Sequence, residues 1–153
     1  MDSIDKKILS VIQSNASIPL SEVSKRVGIS TTPCWNRIKK MEEEKIILGK
    51  ITLLEKTKVK LPITIFLSIS ISNHSPNWTK KFYEVIQKHE QIVEVHRLTG
   101  SSADYILKIV ATNIEDYDKF QQILIGEIEF NQMSSSISLK EMKQTYILLL
   151  DQV

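Results

Sequence analysis

Gly28-Ile29-Ser30-Thr31-Thr32-Pro33-Cys34-Trp35-Asn36-Arg37-Ile38-Lys39-Lys40-Met41 is the stretch on which the fold turns. Cys34, Ile38 and Met41 stand at i, i+4 and i+7, so they share one face of a helix. Pro33 falls in that helix's first turn, where a missing N–H costs little because no intrahelical acceptor exists for it. Ser30 is placed to cap the same turn. Upstream, Leu20, Val23 and Val27 line a preceding helix, with Pro19 suited to its start and Gly28 to its end. Only Gly28-Ile29-Ser30 separates the two, the length that joins the helices of a helix-turn-helix. Ser24, four residues before Gly28, is small enough for a close crossing. A first helix aligns Ile4, Ile8, Val11 and Ile12, and beyond the third helix Ile46–Leu54 reads as a strand or wing.

The opposite face of the third helix presents Thr31, Thr32, Trp35, Asn36, Lys39 and Lys40, with Arg37 at the flank. Amides, hydroxyls and cations are what base edges and phosphates require: Asn reads adenine bidentately, and Lys and Arg neutralise the backbone. Trp35 fits equally a staple to the first helix or a contact on that face. Glu42–Glu44 fall at the helix C-terminal end, outside a groove that the rest would enter. Cys34 reads as a small core residue, because no His or acid accompanies it at the spacing of a nucleophile.

Charge separates the chain into two parts. Residues 1–61 hold twelve Lys and Arg against seven Asp and Glu, a net +5, whereas residues 62–153 hold eight against eleven, a net −3. The first part therefore suits a polyanion and the second does not. The run Glu55-Lys56-Thr57-Lys58-Val59-Lys60 has neither helical nor buried-strand periodicity and reads as a linker, so domains are expected over 1–61 and 62–153. The 153 residues are 42% hydrophobic and 25% charged, an ordinary globular composition, and no apolar run approaches the ~20 residues that span a bilayer. Asp2 and Asp5 at the N-terminus are unlike a secretory leader, which makes the cytoplasm the expected compartment. One cysteine excludes an internal disulfide, and His74, His89 and His96 make no metal-ligand spacing with it; no metal or cofactor is expected.

In the second part Ile63, Ile65, Leu67, Ile69 and Ile71 alternate strictly with Thr64, Phe66, Ser68, Ser70 and Ser72, the pattern of a strand with one apolar face. Ser75-Pro76-Asn77 opens a helix carrying Trp78, Phe82, Val85, Ile86 and His89. Ile92–Thr99 and Ala103–Ala111 are β-rich runs joined across Gly100-Ser101-Ser102 as a hairpin. A second helix follows Asn113 with Ile114, Tyr117, Phe120 and Leu124 inward, and Ser134–Met142 alternates as a last strand. The order is β-α-β-β-α-β, the ferredoxin-like split unit, so the fold class is α+β: a winged helix-turn-helix joined to a βαββαβ domain. Two helices cover one sheet face, and the other must meet solvent, ligand or a second subunit. Small domains and that free face together predict at least a homodimer.

No nucleophile, base and second carboxylate converge by spacing, so an enzyme is not expected. The residues do resemble a known family. Ile4-Asp5 with Ile8-Leu9, Gly28-Ile29-Ser30, Pro33-Cys34-Trp35-Asn36-Arg37-Ile38, Met41-Glu42, Ile46-Ile47 and the hairpin Thr99-Gly100 through Asp104-Tyr105-Ile106-Leu107 are similar to the leucine-responsive/asparagine-regulator (Lrp/AsnC) transcription factors. The resemblance implies a DNA-binding winged helix, a second domain that dimerises through its sheets and often builds tetramers or octamers, and a small amino acid bound between dimers. It makes Gly100, Asp104 and Tyr105 the effector candidates, with Ile114, Ser136 and Ser138 as the second side.

Three positions depart from the family pattern. Lys45 stands where glycine is usual after the third helix, so a different helix exit is expected. Residues 125–133 lack the usual Leu-Pro-Gly-Val turn, and Ser101-Ser102-Ala103 lacks the acid often found after the hairpin glycine. The hairpin itself admits two readings. Backbone N–H groups around Gly100, Ser101 and Ser102 can hold a carboxylate while Asp104 pairs with an ammonium, or Asp104 bonds only to turn backbone. The function expected is a sequence-specific regulator on double-stranded DNA responding to a small amino acid. The alternative is an effector-independent architectural protein on the same fold.

Overall fold

The structure, a computed structural model, describes residues 1–72, 74–100 and 102–150. The chain divides into two compact units. One takes Met1–Leu53 together with a C-terminal segment beginning at Met142, and the other takes Leu54–Glu141. The sequence-based boundary at 61/62 thus lies inside the second unit, and the end of the chain returns to the first. The reason is visible locally: Leu150 packs against the helical core of the first unit, and Gln13 hydrogen-bonds Leu148.

The first unit is built from α1 (Ser3–Ser14), α2 (Leu20–Val27) and α3 (Thr31–Glu43). Asp2 caps α1 by accepting from the Ile4 and Asp5 amides, and Asp5 reaches back to the Asp2 amide, a reciprocal capping box. Gly28 ends α2 at φ +80, the left-handed conformation that a glycine adopts without steric cost. Ser30 holds the N-cap position of α3, yet its side chain makes no capping hydrogen bond, contrary to expectation. Ile8, Leu9, Val23, Val27, Cys34 and Met41 form the core, and buried Ser24 sits beside them with its hydroxyl donating to the Ser21 carbonyl.

The helix exit expected to change at Lys45 keeps the glycine-type geometry. Lys45 adopts φ +59, and the amides of Ile46 and Ile47 both donate to the Met41 carbonyl. Beyond it, no strand forms over residues 46–54, so the expected wing is not a strand within the chain. Nothing pairs with this segment among the described residues, and Leu48 is 89% exposed. The run 55–60 is likewise more structured than a linker: a tight turn closed by Lys60 at φ +62, with the Leu61 amide donating to the Lys56 carbonyl.

The second unit runs β1 (Ile63–Ser70), α4 (Pro76–Lys88), β2 (Ile92–Arg97), β3 (Tyr105–Ala111), α5 (Ile114–Glu127), β4 (Gln132–Ile137). The four strands form one antiparallel sheet in the order β2-β3-β1-β4, which is the expected βαββαβ topology. Ile65, Leu67 and Ile69 pack with Leu107 and Ile109 beneath Phe82 and Val85 of α4 and Tyr117, Phe120 and Leu124 of α5. Strand β4 begins at Gln132, two residues earlier than the alternation suggested, and ends at Ile137 rather than Met142. It stops because β1 has nothing further to offer: Ser138 donates to the Thr64 carbonyl, and Pro62, just before β1, lacks an N–H.

Lys45 holds a backbone conformation that costs an L-residue about 1–2 kcal/mol and a glycine little. Lys45→Gly should therefore raise stability by about 1 kcal/mol in urea unfolding; unchanged or lowered stability would contradict that account.

Candidate nucleic-acid interface and effector site

On α3 the buried stripe is Cys34 and Met41, with Ile38 packed against them, and the facing side is open to solvent. Thr31, Thr32, Trp35, Asn36, Lys39 and Lys40 are all exposed there. Lys39 donates to Glu42 at 2.9 Å and lies 5.9 Å from the Trp35 ring centroid, and Lys40 lies 3.7 Å from Glu44. These are surface pairs within one helix, weak and screened by salt, which a phosphate can displace. Two of the three acids at the end of α3 are thus partnered by lysines of the same helix.

Arg37 is placed differently from its neighbours. Its Nη1 donates to Asp2 at 2.7 Å and to Asp5 at 2.8 Å, the same two carboxylates that form the capping box of α1. Those bonds push the guanidinium pKa up, Asp5 contributing most. The Asp5 amide, followed by Arg37, holds the Asp2 carboxyl below the usual range. One guanidinium therefore fastens the start of α1 to the middle of α3, 32 residues away from Asp5. Nothing in the local sequence signals this bond.

At the β2–β3 hairpin Gly100 has φ +72, and Ser101 lies outside the described residues. The Ser102 carbonyl accepts from the Ser70 hydroxyl at 2.7 Å. Asp104 accepts from the Ile71 amide through Oδ2 at 2.8 Å, and its Oδ1 lies 3.3 Å from His74 Nε2. Its own amide donates to the Ile69 carbonyl. Asp104 thus ties the hairpin to the end of β1, with one oxygen facing His74, a residue that the sequence did not single out. Tyr105 belongs to the core: it is 7% exposed and packs on Phe82 and Trp78 with ring centroids at 4.8 and 5.6 Å.

The register separates the remaining candidates from this hairpin. Ile69 faces Tyr105, whereas Phe66 faces Ser136 and the Ser138 amide reaches the Thr64 carbonyl. Ile114 starts α5 beyond Ala111, which faces Ile63. At ~3.3 Å per residue, Ser138 and Ile114 lie roughly 20 Å from Asp104, at the opposite end of the sheet. Within one chain the two groups do not converge.

A winged helix-turn-helix DNA-binding family model matches residues 1–47, and the Lrp/AsnC ligand binding domain model matches residues 64–148. The chain belongs to the Lrp/AsnC family of transcriptional regulators. It is similar to the HTH-type transcriptional regulator Zrp of Zymomonas mobilis, 40% identical over 94% of this chain and 93% of the relative. The DNA-binding transcriptional activator DecR of Escherichia coli is 30% identical over 95% of each chain. Among solved structures, an AsnC family regulator from Agrobacterium tumefaciens superposes with TM-score 0.94 at 39% identity, covering 99% of each chain. A Neisseria meningitidis transcriptional regulator solved as an L-Met complex superposes with TM-score 0.93 at 30% identity, covering 99% of this chain and 98% of that one. The relatives being regulators, this chain is a DNA-binding member of a family of transcription factors built on this two-unit fold.

Lysines that touch phosphate and an arginine that braces a helix respond differently to salt. Lys39→Ala/Lys40→Ala should weaken binding to all sequences and lower the magnitude of the salt slope by about one per lost phosphate contact. Arg37→Ala should weaken binding with the slope retained. Equal slopes for wild type and the double lysine variant, measured by titration across salt concentrations, would remove this helix from the groove.

Proposed function

We propose that the protein is a cytoplasmic, sequence-specific regulator that binds paired half-sites on double-stranded DNA as a homodimer and responds to a small amino acid. The observation that carries the DNA reading is the solvent-facing side of α3, where Asn36, two threonines and two lysines stand together on a helix held in place by Arg37. Asn36 is the base-reading residue of this set, Thr31 and Thr32 sit at the helix N-terminus where phosphates dock, and Lys39 and Lys40 neutralise the backbone. Trp35, half exposed beside Lys39, offers an apolar contact for a thymine methyl. Recovery of bound genomic fragments at physiological salt, followed by sequencing, tests the reading: discrete sites support it, and uniform coverage overturns it in favour of an architectural role.

The dimer reading rests on the sheet face away from α4 and α5. Its centre carries Phe66, Ile106 and Val110, flanked by Lys108, Glu94 and the serines of β1 and β4. Half-sites then recur about 10 bp apart or at a multiple, mirroring the two-fold axis. Phe66→Glu, which places a charge at that centre, should shift the sedimenting species from dimer toward monomer at micromolar concentration. A wild-type monomer at that concentration would overturn the reading.

For the effector, the L-Met complex of the Neisseria relative and the match to the ligand-binding model support an amino acid. Gly100, Ser101, Ser102 and Asp104 form one half of the proposed site, and Ile114, Ser136 and Ser138 form the other half, contributed by a second copy. Asp104 pairs with the ammonium by exchanging His74 for it, and Tyr105 supports the strand from the core. A thermal-shift screen of the twenty amino acids should find at least one that stabilises the protein, by about 2.7 kcal/mol at 100 times its dissociation constant. Asp104→Ala should abolish that shift; no shift in the wild type, or an undiminished one in the variant, rejects the site.

A further inference from the structure

Two segments of the first unit carry large apolar side chains into solvent. Leu48, Ile51 and Leu53 follow α3, and Tyr146, Ile147 and Leu149 lie near the end of the chain; all six are at least half exposed. Neither segment forms a helix or strand within the chain. Together the six residues expose roughly 700 Å² of largely apolar surface, more than the few hundred Å² of an ordinary monomer patch and close to the ~800 Å² that one partner contributes to a standard interface.

The tail is nevertheless held. Gln13 on α1 accepts from the Leu148 amide at 2.9 Å and donates to the Leu148 carbonyl at 3.1 Å, and Leu150 is packed into the helical core. One side-chain amide can engage both backbone groups of a single residue only where they project to the same side, as they do in a β-strand. The Ile147 carbonyl and the Leu149 amide then point to the other edge. The tail is thus seated on one edge and presented on the other.

We propose that these segments dock onto the corresponding segments of a second copy of this chain, so that the linker 46–54 and the tail 142–149 pair across a two-fold axis and fix the spacing between the two helix-turn-helix units. A second copy is the occupant that the area fits, and antiparallel pairing of identical strands obeys a two-fold axis, so the contact closes at two chains instead of propagating. It lies apart from the sheet-face contact proposed above and adds to it. Rigid spacing converts the second half-site contact into an intramolecular event.

Cys34 is the single cysteine of the sequence and is fully buried, so introduced thiols report alone. Full-length Ile51→Cys and Leu149→Cys chains, mixed under different tags and treated with a short bis-maleimide, should cross-link between copies well above an exposed control, Ser10→Cys. Cross-linking no greater than the control, in a protein that sediments as a dimer, overturns this contact and leaves the sheet dimer standing; a monomer overturns both. Leu48→Ser/Leu149→Ser supplies a second reading. Wild type should lose about tenfold or more in affinity when 5 bp are inserted between half-sites, and the variant should be indifferent to the insertion. A variant as sensitive as wild type overturns the proposal.

Discussion

Strand β1 is hydrogen-bonded along both edges, to β3 and to β4, and Ile65, Leu67 and Ile69 on its inner face are completely buried. Every other element of the second unit takes its position from that strand. A slip of one residue would turn all three side chains toward the open face, so the register is set by burial as much as by hydrogen bonds. Asp104 and Ser70 then close the hairpin end of β1, and Thr64 and Ser138 close the other. The separation between the two groups of effector candidates follows directly: they belong to opposite ends of one strand, and only a second molecule can bring them together.

The first unit has its own fixed point. Arg37 shares its guanidinium between two carboxylates that already cap α1, so the angle of α3 is tied to the start of the chain by charge-assisted bonds. The residues on the outer side of α3 are left without structural duties beyond weak pairs along the helix. This division of labour within one helix leaves Asn36, Lys39 and Lys40 available to a ligand, while their neighbour holds the geometry in which they are offered.

Much of this architecture is legible in the sequence where a local period carries it. The alternation from Ile63 to Ile71, the apolar spacing in α4 and α5, Gly28 at a left-handed turn and Asn113 capping α5 all reappear in the structure because each is decided within a few residues. What escaped reading was decided at a distance. The partners of Arg37 and the His74–Asp104 pair lie about thirty residues apart in the chain, and no periodicity links them. The end of β4 depends on where its neighbour begins, and the return of the tail depends on Gln13. Lys45 is instructive in the opposite way: its residue type argued for a changed exit, yet the two amides converging on the Met41 carbonyl impose the backbone shape regardless. In the binding regions, chemistry was readable residue by residue on α3, whereas convergence at the effector residues was not, because it is a property of sheet register.

Cys34 sits on the inward side of the helix that offers its other face to DNA, and burial pushes its thiol pKa up. The thiolate is the form that peroxides and electrophiles attack, so this sulfur is protected both by being protonated and by being out of reach. With no other cysteine in the chain, thiol chemistry has no handle on the protein. Its hold on DNA will follow ionic strength and ligand supply, and an oxidative burst in the cell will pass it by.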